Sequence, residues 1–402
     1  MRKKVKSYSI HLLLFLVTII TTTLAGTEWT HGRLIFVDKE AWSWVTKEKF
    51  LRGLAFSLPF LGFLTVHEFG HYFTARWHKV KVSLPFYIPL WLGFSFTIGT
   101  MGAFIRIKEN LRSRKLFFDI GVAGPLAGFV VALGVLIYAF THLPPPEYLY
   151  SIMAQQPTTA TTENTEYLVL GNNLLFIFLE NTLADPALVP SHYNMIHYPW
   201  IMAGFFGLFF TALNLLPIGQ LDGGHILYAL IGYKRHRDAA FVLFVAFVFF
   251  AGLGLVTPYL PINDLLWHAP LYLLFLYVIF SKALDGPKNI LLAALSIFTA
   301  QFLFSFFFPE IKGFLGWLVF AFLLGRVLGI YHPPAQEDQP LNLPRKILGW
   351  FTLLVFVVCF SPQPLYFKTK DINEVPTQLE QKVLELREND SLKNSEEYNY
   401  SN

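Results

Sequence analysis

The 402-residue chain is poor in cysteine and in charged residues. It contains one cysteine, Cys359, which excludes a disulfide within the chain and a zinc site built from cysteine ligands. Charged residues make up 14% of the sequence, whereas ordinary soluble domains carry roughly 25%. The net charge of +4 is explained by lysines and arginines in loops, so it gives no reason to expect a nucleic-acid partner.

Apolar runs are abundant instead, and 54% of the residues are hydrophobic. A membrane span needs about 20 mostly apolar residues. The pattern therefore predicts an all-α polytopic membrane protein with about nine transmembrane helices. We place these spans at residues 9–24, 54–75, 116–140, 200–218, 239–256, 265–280, 290–308, 314–330 and 347–360. The first span has no clean cleavage site after it, which favours an uncleaved signal anchor over a signal peptide.

Loop charges predict how the spans are oriented, because basic loops stay in the cytoplasm. Basic clusters occur at the N-terminus and at residues 76–81, 106–115, 234–237, 282–288 and 345–346. They alternate with mixed or nearly uncharged loops at residues 27–52, 141–199 and 257–264. This alternation predicts a cytoplasmic N-terminus and an outer C-terminus. A tenth crossing, or the loss of the last span, would place the tail in the cytoplasm.

The second span contains the motif H-E-x-x-H, made by His67, Glu68 and His71. Residues four apart share one face of a helix, so both imidazoles can bind one metal ion. Glu68 lies beside them and could take a proton from water at the metal. Ionisable side chains at mid-membrane depth are costly and indicate function. However, the motif is short, and single histidines or a buried glutamate also serve in structural hydrogen bonds and ion pairs. A third ligand would decide between these readings.

The fourth span ends in N-L-L-P-I-G-Q-L-D-G-G-H, residues 214–225. Pro217 removes a helical hydrogen bond and the Gly-Gly pair is expected to stop the helix, which leaves Asp222 at a broken helix end. An isolated aspartate there would be an ordinary cap. However, spans two and four run in the same direction, and both His67 and Asp222 fall in the cytoplasmic half of the bilayer. Two histidines and one carboxylate with an open position form a catalytic zinc arrangement.

Residues 84–107, between spans two and three, are apolar but rich in proline, glycine, threonine and aromatic residues. This composition favours short strands over a helix. Non-helical backbone at membrane depth persists only where protein or a cavity covers it. We therefore predict a re-entrant β-hairpin near the cytoplasmic face and the active site. An amphipathic surface loop is the alternative.

The two motifs together resemble those of the site-2 protease family of intramembrane zinc metalloproteases. The likeness covers roughly residues 54–229, and it includes the stretch Gly-Thr-Met-Gly-Ala at 99–103 and the Gly-Pro pair at 124–125. It implies a three-span catalytic core, one Zn²⁺ ion and cleavage within the transmembrane segment of a membrane-anchored protein substrate. Many bacterial members carry a PDZ domain that does not fit here, so substrate control through such a domain is not expected.

The resemblance also implies residue roles. They are His67, His71 and Asp222 as metal ligands, Glu68 as catalytic base, Asn214 near the scissile carbonyl, and a substrate-binding strand with Thr97, Gly99, Thr100, Gly102 and Phe104. Water is expected to reach the site from the cytoplasm near His78 or His225, both of which we interpret as surface histidines.

The expected organisation has four parts. Residues 1–50 form an N-terminal anchor and outer loop, 51–232 the metalloprotease core with the outer loop 141–199, 233–362 a C-terminal transmembrane bundle, and 363–402 a polar tail. We expect a multi-pass protein of the cell's inner membrane, surrounded by the lipid bilayer and of undetermined oligomeric state. Two alternatives are a metal transporter, which would need ionisable residues in several spans, and an inactive scaffold that binds single-span proteins.

Overall fold

The computed structural model describes residues 2–37, 41–109, 111–154, 166–369 and 376–400. The described residues form thirteen α-helices and four short strands. The helices are α1 (Arg2–His31), α2 (Lys47–Trp77), α3 (Arg114–Thr141), α4 (Pro146–Met153), α5 (Leu174–Leu183), α6 (Pro199–Leu215), α7 (Asp222–Ile231), α8 (Tyr233–Ala251), α9 (Ile262–Phe280), α10 (Pro287–Phe307), α11 (Leu315–Phe322), α12 (Leu343–Cys359) and α13 (Gln378–Tyr400). The strands are β1 (Phe86–Leu90), β2 (Gly99–Phe104), β3 (Glu166–Leu170) and β4 (Leu365–Thr369).

Five helices are long and apolar enough to cross a membrane, namely α1 over Tyr8–His31, α2, α3, α9 and α10. Three shorter apolar helices are α5, α6 and α11 with its π-helical continuation to Leu328. The prediction of a mostly helical chain with several candidate membrane spans is confirmed. Helices α8 and α12 occupy the spans predicted at 239–256 and 347–360. Helix α5 was not predicted, because its ten residues are too few to stand out as a span within the outer loop.

Helices α1, α2, α3 and α6 form the first hydrophobic core, in which phenylalanines of α2 pack against those of α6. Small residues let these helices approach closely. A methyl carbon added at Gly26 would lie 2.7 Å from the carbonyl oxygen of Gly53, and one added at Gly70 would lie 2.6 Å from that of Ala123. The glycine-rich start of α3 therefore packs directly against the helix that carries H-E-x-x-H.

Helices α8 to α11 form a second core of their own. Its members include Phe244, Leu276 and Leu324, all fully buried. The two cores meet at Phe209, Phe356 and Phe360, which pack against both. Helices α8 to α11 are thus a separate helical layer attached to the side of the first core, whereas α12 belongs to the first core through Val355 and Cys359.

Strands β1 and β2 form the predicted hairpin as an antiparallel pair, with a bulge between Tyr87 and Pro89. The hairpin lies along α1. At the base of the hairpin, Nδ1 of His11 lies 3.0 Å from the carbonyl oxygen of Pro85. At its tip, the indole N–H of Trp91 donates a hydrogen bond to the carboxylate of Glu28 at 2.9 Å. The hairpin therefore runs most of the length of α1, and its strands lie within the predicted residues 84–107. Its tip finds polar partners at the far end of α1, which the sequence does not indicate.

Strands β3 and β4 also pair in antiparallel fashion, although some 200 residues separate them. Strand β3 belongs to the segment between α3 and α6, and β4 follows α12. Helix α13 packs against α4 in the same segment, and the amide of Asn194 donates to Glu380 at 2.6 Å. The end of α12 and the segment between α3 and α6 therefore lie at the same end of the bundle.

The start of α3 and the start of α12 meet at the opposite end. Arg345 binds Asp119 through two hydrogen bonds of 2.7 and 3.0 Å. Arg114 donates to the carbonyl oxygen of Ala229 at 2.7 Å, which attaches the end of α7 to the same group. These contacts position α7, the helix on which Asp222 stands.

Candidate active site

Helix α2 carries the two histidines of the motif on one face. His67 and His71 are buried and stand one turn apart, with their Nε2 atoms separated by 3.2 Å. The Nδ1 atom of His71 lies 2.8 Å from the carbonyl oxygen of Ile120. A carbonyl oxygen only accepts, so Nδ1 carries the proton and Nε2 presents its lone pair. In metal sites, a hydrogen bond from the second ring nitrogen sets the tautomer and the orientation of a ligating histidine in this way.

Asp222 completes the group from a distant part of the chain. Helix α6 ends at Leu215 and α7 begins at Asp222, so the break at Pro217 is as predicted. The expectation that the Gly-Gly pair ends a helix is wrong, because both glycines lie in the first turn of α7. A methyl carbon added at Gly223 would lie 1.9 Å from the carbonyl oxygen of Leu215. The glycines are needed because α7 folds back closely on the end of α6.

The three side chains form one ligand set. Oδ2 of Asp222 lies 3.5 Å from Nε2 of His67 and 3.2 Å from Nε2 of His71. A tetrahedral ion with ligand bonds of about 2.0–2.1 Å holds its ligand atoms about 3.3 Å apart. The three separations of 3.2, 3.2 and 3.5 Å are close to this value, so the residues fit a zinc ion. In the part of the chain that the structure describes, these three residues are the group able to bind a metal ion.

Two further predicted residues stand beside the ligand set. Glu68 is buried and lines a cavity of about 270 Å³ that also contains His67, His71 and Asp222. Asn214, near the end of α6, lines the same cavity, and its Nδ2 atom lies 3.4 Å from Nε2 of His67. The cavity thus combines a carboxylate outside the ligand set with an amide hydrogen-bond donor.

Helix α3 forms the wall behind the histidines. A methyl carbon added at Gly124 would lie 2.1 Å from Nε2 of His71, and one added at Gly128 would lie 3.0 Å from Cβ of His67. Small residues at this spacing allow close packing of helices, but no local signal in the sequence identifies the side chains against which these two glycines pack.

The predicted substrate-binding strand is divided between two environments. Phe104, at the end of β2, lines the cavity together with Ala103 and Ile105. Gly99 instead lies against the backbone of α1, and the carbonyl oxygen of Thr97 accepts from the indole of Trp29 at 2.7 Å.

The remaining two residues of that strand do not line the cavity either. Thr100 is buried and donates to the carbonyl oxygen of Ile88 at 2.8 Å. Gly102 has a positive φ of 104°, and a methyl carbon added there would lie 3.7 Å from the ring of Phe210. The structure therefore brings one of the five strand residues, Phe104, to the site.

The two histidines expected near a water path occupy different places. His225 is half-buried and lines the cavity without belonging to the ligand set. His78 binds Asp119 at 2.9 Å and lines a neighbouring cavity of about 660 Å³ between α2, α3 and α12, which lacks the ligand set. His332 was not predicted near the site, yet its Nε2 atom contacts Nδ1 of His225 at 2.8 Å.

Two imidazoles and a carboxylate that meet inside a bundle of membrane-spanning helices define a membrane-embedded metalloprotein. The family model of peptidase family M50 matches residues 55–256, which is about half of the chain. The chain therefore belongs to peptidase family M50, the site-2 protease family.

Similar proteins include two plant proteins, each called "Probable zinc metalloprotease EGY1, chloroplastic". The one from Oryza sativa subsp. japonica is 33% identical over 192 residues, which is 47% of this chain and 29% of that protein. The one from Arabidopsis thaliana is 32% identical over 237 residues, 56% of this chain and 40% of that protein. The chain thus spans well under half the length of these relatives. No solved structure matches the chain.

Proposed function

We propose that the chain is an intramembrane zinc metalloprotease that hydrolyses a peptide bond within or near the transmembrane segment of a membrane-anchored protein. The observation that carries this proposal is the meeting of His67, His71 and Asp222 beside the buried carboxylate of Glu68. A metal transporter would need further ligands along a path. The described residues contain one such group of ligands, which favours the enzyme.

The residues around the cavity can divide the chemistry among them. His67, His71 and Asp222 would hold one zinc ion, which supplies Lewis acidity that polarises a carbonyl group and acidifies water. Glu68 takes a proton from water in the cavity and passes it to the leaving amide nitrogen. The side-chain amide of Asn214 donates a hydrogen bond to the oxygen of the scissile carbonyl group.

The substrate must be extended before it can be cut, because a helix protects its peptide bonds with its own hydrogen bonds. Strand β2 is paired on one side with β1 and ends at the cavity. An extended peptide can add to the free edge of such a strand. We assign this role to the end of the strand at Phe104, which lines the cavity. Gly99, Thr100 and Gly102 belong to the same strand, but α1 already bonds the carbonyl oxygens of Thr97 and Gly99.

We further propose nine spans, with the N-terminus in the cytoplasm and the active site in the cytoplasmic half of the membrane. The pairing of β3 with β4 supports an even number of crossings between these two strands, since they share one end of the bundle. With three spans before β3, the total is odd, as nine spans require. The two hydrophobic cores support a metalloprotease core at 51–232 and, within 233–362, a separate bundle of α8 to α11, whereas α12 packs against the metalloprotease core. The inner membrane of the cell is the location that we propose.

The test of this function is the variant Glu68→Gln in the full chain, reconstituted in lipid vesicles with a single-span reporter protein. We expect cleavage to fall about 100- to 10,000-fold while zinc content is unchanged, since a catalytic base contributes this much. The control is Glu48→Gln, which changes an exposed glutamate in the first turn of the same helix. Normal cleavage by Glu68→Gln would remove Glu68 from the reaction, and cleavage that survives zinc chelation would refute a metalloprotease.

A further inference from the structure

A pair of histidines connects the active-site cavity to the C-terminal half of the chain. His225 lies one turn after Asp222 in α7 and lines the cavity. Its Nδ1 atom is 2.8 Å from the Nε2 atom of His332, in the segment that follows α11. His332 lies outside the residues matched by the family model.

Aromatic packing holds the pair in place. The ring of Tyr228 stacks on that of His332, with centroids 3.9 Å apart and an angle of 9° between the planes. Phe117 stacks on His225 at 5.3 Å and meets the edge of His332 at 4.6 Å. His332 is 2% exposed. Neither ring can turn away without disturbing these contacts.

The hydrogen bonds fix which nitrogen carries a proton. Nδ1 of His332 lies 2.6 Å from the carbonyl oxygen of Pro333, which can only accept, so this Nδ1 is protonated. Burial lowers the pKa of His332 to about 4, so the ring is neutral near pH 7 and its Nε2 atom is an acceptor. Nδ1 of His225 must therefore donate to it. The Nε2 atom of His225, in the neutral ring, is left with a free lone pair.

This lone pair has no protein partner among the described residues, although the ring lines the cavity. An extended substrate needs such an acceptor. Strand β2 can pair with one edge of a peptide, and the backbone N–H groups of the other edge must find partners elsewhere. The cavity has the end of β2 among its lining residues, and α7 supplies His225 to the same lining.

We propose that His225 binds the substrate, with its Nε2 atom accepting a hydrogen bond from a backbone N–H group of the extended peptide, and that His332 is a positioning residue that holds His225 in the required tautomer. This proposal rests on the proposed function of the chain as a protease. It makes the C-terminal half contribute to substrate binding, although the described residues of that half supply no metal ligand.

The experiment compares two substitutions of His332 in the full chain that already carries Glu68→Gln, so that a bound reporter is not cut. His332→Phe keeps a ring against Tyr228 but removes the acceptor. His332→Gln places an amide oxygen near the position of Nε2. The probe is a single-span reporter that the wild type cleaves, and its dissociation constant is measured in vesicles of neutral lipid.

We expect His332→Phe to weaken reporter binding about tenfold, which is the size of one lost hydrogen bond. His332→Gln should stay within about threefold of the parent, and zinc content should be unchanged in both. The ¹⁵N resonances of His225 should show the proton on Nδ1 in the parent and on Nε2 in His332→Phe. The control is His236→Phe. His236 is buried, and its ring centroid lies 5.9 Å from that of His332, but it does not line the cavity.

Equal weakening by the phenylalanine and glutamine variants would show a packing role for His332 and overturn the proposal. Unchanged binding by His332→Phe would overturn it as well. If the wild type cleaves no reporter, the proposed function fails and this proposal fails with it. If the wild type cleaves and only the His332 comparison fails, the proposed function stands.

Discussion

At the scale of single residues, the metal-binding geometry depends on Gly124 of α3, because a glycine has no side chain to collide with His71. Gly124 in α3 leaves the space that the ring of His71 occupies, and the Nδ1 atom of that ring is held by the carbonyl oxygen of Ile120 one turn earlier in α3. Helix α3 therefore both makes room for the ligand and orients it. A small substitution in α3 should therefore lower the affinity for zinc and leave the fold intact.

We predict that Gly124→Ala lowers zinc affinity on the order of 10- to 100-fold, the loss that follows when groups orienting a ligand are disturbed. The added methyl carbon would lie 2.1 Å from Nε2 of His71, so the ring must move. Zinc content of the purified protein is the measurement. Gly134→Ala is the matched control, because it lies in the same helix with open space around it. Full zinc content in Gly124→Ala would mean that α3 does not support His71 in this way.

At the scale of elements, the hairpin is fixed to α1 as well as to the helix that carries the histidines, which it meets where the hydroxyls of Tyr87 and Thr65 lie 2.8 Å apart. The hydroxyl of Thr21 donates to the carbonyl oxygen of Gly99 at 2.7 Å, and Gly99 has a φ of 84°. A methyl carbon there would lie 2.3 Å from Cα of Thr22. Helix α1 lies before the residues matched by the family model, yet it sets the position of β2.

We predict that Gly99→Ala displaces β2 and lowers cleavage by up to about 100-fold while zinc content stays normal, because small misplacements of a substrate are costly. Gly286→Ala is the control. Its φ is 82° but open space surrounds it, so it reproduces the backbone strain without the collision. The measurement is reporter cleavage together with zinc content. A variant that loses zinc and cleavage together would place the effect in the metal site instead.

At the scale of the whole molecule, contacts between distant segments define two ends of the bundle. Strands β3 and β4 pair at one end, whereas Arg345 and Asp119 join α12 to α3 at the other. The ligand set lies with the end of α2 and the start of α7. The ends can be assigned to the two sides of a membrane by experiment.

We predict that single cysteines replacing Glu147 and Phe367 are labelled by a membrane-impermeant maleimide from one side of a sealed vesicle. A cysteine replacing Lys115 should be labelled only from the other side. The background is Cys359→Ala, and the wild-type cysteine should resist labelling because it is fully buried. Labelling of positions 147 and 367 from opposite sides would contradict the pairing of β3 with β4 in the membrane.

Much of the fold follows from local rules that the sequence carries. A bilayer demands long apolar helices, so the spans at α1, α2, α3, α9 and α10 could be predicted directly. Proline and glycine in residues 84–107 indicated the hairpin. The short helix α5 and the packing of the hairpin along α1 were not predictable, since both depend on partners elsewhere in the chain.

The sequence alone determined that His67 and His71 share one helix face, because the spacing of four residues fixes this in any α-helix. It also determined that a break precedes Asp222, because Pro217 removes a backbone donor. Only the tertiary structure decided that Asp222 reaches the two histidines and that His332 contacts His225. These contacts join segments far apart in the chain, and they depend on how whole helices pack against one another, which no local pattern encodes.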